Sequence, residues 1–186
     1  MTVTEWAISD TRGVCLSESF DAAVSRLFRT EFGRLFRYLD RVSGDPDLAK
    51  DLAQEAFVRL LQRRAMPDFP VAWLVTVANN LRRNAGAKAS RRRQLLTVDR
   101  GEQAQSDPTP APDQVVLAAE DRQRVRRVLD RMPAREAQML VLQAEGYSYR
   151  EIAAALKLQP ASIGTLLARA RAGFLAGMDW SDDASR

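Results

Sequence analysis

The chain of 186 residues contains no histidine and a single cysteine, Cys15. Imidazole acid–base chemistry and a histidine pH switch are therefore unavailable. An internal disulfide cannot form, and a cysteine–histidine zinc cluster has no ligands to draw on. No apolar run approaches the length that spans a bilayer. The amino terminus carries Glu5 and Asp10 where a secretory leader would be basic. A cytoplasmic protein without membrane insertion is expected. Aromatic residues are sparse, at 7%, yet hydrophobic residues reach 46%, enough to fill packed cores and too many for a wholly disordered chain. Charge of neither sign dominates: a net charge of +4 and a pI near 9.7 lean only modestly towards a polyanionic partner. The chain shows no nucleophile–base pair, no phosphate-cradling loop and no metal cluster, so neither an enzyme activity nor a cofactor is expected.

What is present is helical periodicity. From Ser19 to Val42, Phe20, Ala23, Val24, Leu27, Phe28, Leu35, Leu39 and Val42 recur at three- and four-residue spacing. Ser43-Gly44 ends that helix, Asp45 offers a cap and Pro46 a first helical position. The helix from Pro46 to about Arg63 turns Ala49, Leu52, Ala53, Ala56, Phe57 and Leu60 inward. Its other face carries Asp47, Lys50, Asp51, Gln54, Glu55 and Gln62, ordinarily no more than a solvated surface. After a loop over 66–70, a third helix spans Val71–Leu81. The run LRRNAGAKASRRR (81–93) then brings six cations and no acid, with Gly86 expected to interrupt the helix. Cations this dense repel one another unless an anion offsets them. Asn79, Asn80 and Asn84 add amides able to bond base edges.

Residues 97–114 place Pro108, Pro110 and Pro112 among acidic residues, the composition of an extended linker. Helices resume from Val115 to Met132 and again from Pro133. Gly146 suits the left-handed residue closing that second helix, and Ser148 with Glu151 forms a capping box that starts the next at Tyr149. Lys157-Leu158-Gln159 makes a corner, and Pro160 opens a helix with Ile163, Leu166, Leu167, Ala170 and Phe174 on one side. Ser162, Thr165, Ala168 and Arg169 lie on the other. Two short helices joined in this way form a helix-turn-helix pattern, although hairpins without a DNA role share it. The expected fold is all-α: two small helical domains joined by a Pro-rich linker, the second a four-helix domain with a helix-turn-helix. The expected partition is a tail (1–17), a first domain (18–96), the linker (97–114), a second domain (115–178) and an acidic, frayed tail (179–186).

Three segments in order carry a family resemblance: DLAKDLAQEAFVRLL (47–61), AWLVTVANNLRRN (72–84) and the stretch from Leu129 to Arg171. Together they resemble the extracytoplasmic-function sigma factors of bacterial RNA polymerase, over most of residues 18–175. The resemblance implies a subunit that binds core RNA polymerase and directs promoter recognition and opening. Region 2 would occupy 18–96 and region 4 residues 115–178. Asp51, Gln54 and Glu55 would dock on the polymerase. Asn80, Arg83, Asn84, Lys88, Arg91, Arg92 and Arg93 would read and open the −10 element, a flipped base lodging near Asn80 and Asn84. Gln159, Ser162, Thr165, Arg169 and Arg171 would meet the −35 element. Promoter DNA, core RNA polymerase and an anti-sigma factor are the implied partners. Gly164 and Leu166 depart from the family pattern, standing where basic residues are usual. The alternative is a stand-alone helix-turn-helix regulator, which leaves the acidic helix and the 73–93 segment without a task.

Overall fold

The computed structural model describes residues 19–96 and 113–183, and among them the regular structure is helical, with no strand. Helix α1 runs Phe20–Ser43 from an N-cap at Ser19, whose hydroxyl accepts the Ala22 N–H at 3.2 Å. It closes on Gly44 at φ 69°, where the amide donates to the Asp40 carbonyl at 2.7 Å. A side chain there would face strain and also meet Arg126, whose Nη1 lies 2.5 Å from the position of a Cβ. Helix α2, Pro46–Arg63, starts from Asp45, whose carboxylate accepts the Leu48 N–H at 2.9 Å, with Pro46 in the first turn. Its buried residues are Ala49, Leu52, Ala53, Ala56, Phe57 and Leu60, the face that periodicity assigns.

Two local expectations change. Phe28 belongs to the expected inward stripe of α1 but is 42% exposed; it leans on Phe32 at 4.7 Å and Phe57 at 5.0 Å between ring centroids. Helix α3, Pro70–Leu96, is not interrupted at Gly86. One glycine costs a helix about 1 kcal/mol, and the good helix formers Arg82, Arg83, Ala85 and Ala87 around it offset that.

The second half comprises α4 (Asp113–Arg131), α5 (Ala134–Ala144), α6 (Tyr149–Leu156), a 3-10 turn (Pro160–Ser162) and α7 (Ile163–Asp183). Asp113 and Gln114, expected in the linker, therefore belong to α4. Residues 179–183, expected to fray, continue α7 as backbone helix, since no glycine or proline follows Gly177 to stop it. The rest of the expected linker, the tail over 1–17 and residues 184–186 lie outside the described residues.

Helices α1–α3 pack on one another, as do α4–α7, in the order expected for two helical units. They also pack on each other, α5 against α1 and α6 against α3. One contiguous buried cluster results, running from Val24, Leu39 and Leu60 through Leu74 and Val75 to Met139, Ile152 and Leu167.

Candidate nucleic-acid and partner interfaces

On α2, the residues expected to dock a partner share the solvent side. Asp51 and Gln54 are exposed, and Glu55 is partly so, its carboxylate accepting from Arg59 Nε at 2.9 Å. The reason is local: positions 51, 54 and 55 fall opposite the apolar stripe of one amphipathic helix. Gln54 also borders something the sequence did not show. A shallow apolar groove between α1 and α2 is lined by Val24, Phe28, Phe57, Val58 and Leu61. Phe28, Val58 and Leu61 are all more than two-fifths exposed, so the acidic row is edged by apolar surface.

On α3 the amides separate. Asn79, read from sequence as a base-edge candidate, is buried, and its Oδ1 accepts from the Tyr38 hydroxyl at 3.0 Å. It is a structural residue: a buried hydroxyl needs a partner, and Asn79 supplies it. Burial pushes the Tyr38 phenol up to about 12, with the nearby Arg82 charge acting the other way. Asn80, one residue on, is exposed and hydrogen-bonds Arg83, while Asn84 is exposed as well. Positions 80, 83 and 84 lie one turn apart, so α3 presents two amides and a guanidinium on one open face. Lys88, Arg91, Arg92 and Arg93 follow on the α3 backbone, with their side chains outside the described residues. A cation–amide surface of this kind can hold phosphates and bond base edges together.

The helix-turn-helix is built as its local signals require. Gly146, at φ 83°, follows α5, and the Tyr147 amide returns to the Leu142 carbonyl at 3.0 Å. The capping box closes both ways: Ser148 N–H donates to Glu151 Oε2 at 2.7 Å, and Glu151 N–H to Ser148 Oγ at 3.3 Å. Lys157 ends α6 in the left-handed region, at φ 55°. Pro160 begins not α7 itself but the 3-10 turn leading into it, because the Ser162 amide bonds three residues back to Gln159. Ile163, Leu167 and Ala170 are buried and Leu166 half-buried, so Leu166 packs rather than projects.

The outer face of the second helix is sparse. Gln159, Thr165, Arg169 and Arg171 are exposed, while Ser162 is half-buried with its hydroxyl donating to the Gln159 carbonyl at 2.8 Å. Arg169 Nη2 meets Glu136 Oε1 of α5 at 2.8 Å, an ion pair that any phosphate would have to displace. Among the described residues no cluster of acids, cysteines or histidines could hold a metal ion, and no helix is long and apolar enough to cross a membrane.

Comparison with known proteins gives the family. A Sigma-70 region 2 model matches residues 27–92 and a Sigma-70 region 4 model residues 122–172, together more than half of the chain. The chain is 30% identical over 137 residues to the "Probable RNA polymerase sigma factor RfaY" of Xanthomonas campestris pv. campestris, covering 70% of this chain and 34% of that protein. It is 28% identical over 151 residues to the ECF RNA polymerase sigma factor SigE of Mycolicibacterium smegmatis, covering 79% of this chain and 57% of that one. The chain thus spans about a third and somewhat over half the length of these two relatives. In fold it is similar to the sigma factor RpoE of Bartonella quintana, solved in complex with the anti-sigma factor NepR. That match has a TM-score of 0.61 and 20% identity, over 84% of this chain and 97% of that chain. The chain belongs to the sigma-70 family, in its extracytoplasmic-function group.

Proposed function

We propose that this protein is an alternative sigma factor that binds core RNA polymerase and directs promoter recognition and opening. The observation that carries the reading is the pairing, on one chain and in family order, of the exposed Asn80–Arg83–Asn84 face with a helix-turn-helix. Neither surface alone distinguishes promoter reading from generic DNA binding. Its working partition is region 2 over 18–96, an acidic linker over 97–112 and region 4 from α4 to α7, over 113–183. Asp51, Gln54 and Glu55 dock the polymerase, which supplies the chemistry; the protein itself is not a catalyst and needs no cofactor. Asn80 and Asn84 take an unstacked base of the −10 element while Arg83, Lys88 and Arg91–Arg93 hold phosphates. Gln159, Ser162 and Thr165 meet the −35 element, with Arg169 and Arg171 on its backbone. An anti-sigma factor is the expected negative regulator in a cytoplasmic setting, as the NepR-bound relative suggests.

The test is run-off transcription with purified core polymerase. Wild-type protein yields promoter-directed transcripts, and the double change Asp51→Lys with Glu55→Lys abolishes them. Both residues lie on the solvent side of α2, so the helix should persist. Each lost charge-assisted contact weakens docking by roughly 1.5–3 kcal/mol. Native polymerase affinity in the correctly folded double variant would remove this surface from the account. Tight, selective duplex binding without polymerase would instead favour the stand-alone regulator.

A further inference from the structure

Phe28, Val58 and Leu61 are three of the four exposed large apolar side chains of α1–α3 and their loops, among the described residues. All three line one groove, of about 610 Å³, between α1 and α2. Its floor is Val24 and Phe57, both buried. Single exposed apolar residues are ordinary on a protein surface, but a contiguous patch marks a docking site. The groove is also preformed. Phe28 stays in its wall although 42% exposed, its ring edge-on to Phe57 at 5.0 Å.

Two features of the chain point to the occupant. The first is reach. Helix α1 is capped by Ser19, and Val24 and Phe28 lie about 8 and 14 Å of helix rise beyond that cap. Upstream, residues 1–18 carry one apolar cluster with a large ring, Trp6-Ala7-Ile8. The chain from Ile8 to Ser19 extends to about 36 Å, more than the groove requires. The second feature is charge. Residues 1–18 hold three acids, Glu5, Asp10 and Glu18, against one arginine, Arg12. On the α1 rim of the groove stands Arg29, exposed and with no ion pair among the described residues. An indole buries about 150–250 Å² and tolerates a polar edge. That suits a groove with an apolar floor and Arg29 and Gln54 at its sides.

We propose that the groove between α1 and α2 is the docking site of the chain's own Trp6–Ile8 segment, which there competes with core polymerase for α2. The competition rests on the polymerase-binding function proposed above. Gln54 is the link. It belongs to the proposed polymerase-docking set and also lines the groove, so a segment seated against it overlaps that footprint. Tethering makes a weak contact sufficient. A short flexible link gives an effective concentration on the order of 1 mM, so a contact of millimolar strength seats the segment about half the time. The polymerase then meets a surface only partly open, and its apparent affinity falls with the open fraction.

The test is a paramagnetic NMR measurement on the full chain. A nitroxide is attached through Thr4→Cys, with Cys15→Ser to leave that thiol alone. The backbone amide signals of Ser25 and Gln54, at the groove, should be broadened by it. Adding Trp6→Ser with Ile8→Ser should remove most of that broadening. Val58→Gln with Leu61→Gln should do the same from the groove side, and both positions are exposed, so folding is spared. Unbroadened groove signals in the labelled protein, or broadening unmoved by both pairs of changes, overturns the docking. Broadening that grows with protein concentration assigns the groove to a second copy and overturns it too. Titration of core polymerase with unlabelled protein tests the competition. Trp6→Ser with Ile8→Ser should tighten binding about twofold or more, and an unchanged affinity overturns the competition. The two readings fail separately. Polymerase binding without groove broadening would sink the docking and leave the function standing. Broadening in a protein that binds no polymerase in any form would sink the function and leave the docking.

Discussion

Neighbouring asparagines on α3 have opposite surroundings. Asn79 is buried and satisfies the Tyr38 hydroxyl; Asn80 is exposed beside Arg83. Asn79→Ala should leave that buried hydroxyl unpaired and lower stability by about 1–3 kcal/mol, without altering which promoters are preferred. Asn80→Ala should leave stability within about 0.5 kcal/mol, as exposed substitutions do. It should instead reduce open-complex formation, and more on some −10 sequences than on others. Denaturant unfolding and a promoter panel, run on both variants, separate the two. A selective promoter defect from Asn79→Ala, or a stability loss from Asn80→Ala, would reverse the assignment. Tyr38 itself, missed by the apolar stripe, could have been found: position 38 falls three after Leu35 and one before Leu39.

At the scale of elements, two glycines in long helices differ in what surrounds them. Gly86 in α3 has nothing within 4 Å of where a Cβ would stand. Gly86→Ala should therefore stabilise by about 0.5–1 kcal/mol through helix propensity alone. Gly177 in α7 is where α7 meets α4, and a Cβ there would come 2.7 Å from Val128 Cγ1. Val128 is buried, so it has little room to retreat. Gly177→Ala should destabilise by about 1–3 kcal/mol as overpacking does. Thermal unfolding of the two single variants should thus move in opposite directions, and a shared direction would contradict the packing of α7 on α4. Periodicity found each of these helices, but their ends moved where cooperative helix formation outlasted a single weak residue.

The whole molecule carries a pH signature at its centre. Tyr38 and Tyr147 stand edge to face at 6.3 Å where the two units meet, and burial is the main reason both phenols resist ionisation. Tyr38 is raised from 10.0 to about 12, and Tyr147 is shifted in the same direction. A group whose folded pKa is raised contributes stability that is full below its unfolded pKa and lost as pH climbs through the folded one. Stability should therefore be flat from neutrality to about pH 9 and fall steeply from pH 10 towards 12. A shift of this size corresponds to a few kcal/mol at most, about 1.4 per unit. Melting temperatures across that range check it, and Tyr38→Phe should shed the hydroxyl's share of the slope. An unchanged slope would mean that Tyr38 is not the residue being titrated.

The sequence by itself determined whatever depends on neighbours a few positions away. The apolar face of α2, the caps at Ser19 and Asp45, the left-handed Gly146 and the Ser148–Glu151 box all follow from rules with a reach of four residues. So does the placing of Asp51, Gln54 and Glu55 opposite the core. Tertiary structure decided what depends on partners far along the chain. Arg37 and Glu145 are 108 residues apart, and Thr76 and Ala155 are 79 apart. Each looks in sequence like an ordinary surface or helix residue, because no periodicity encodes which distant face it will meet. The same holds for Asn79, whose amide turns from a DNA-reading candidate to a core bond only once α1 brings Tyr38 beside it. Helical spacing marks one side of an amphipathic helix as apolar; what covers that side, and which polar groups are drawn in with it, is settled when the helices pack.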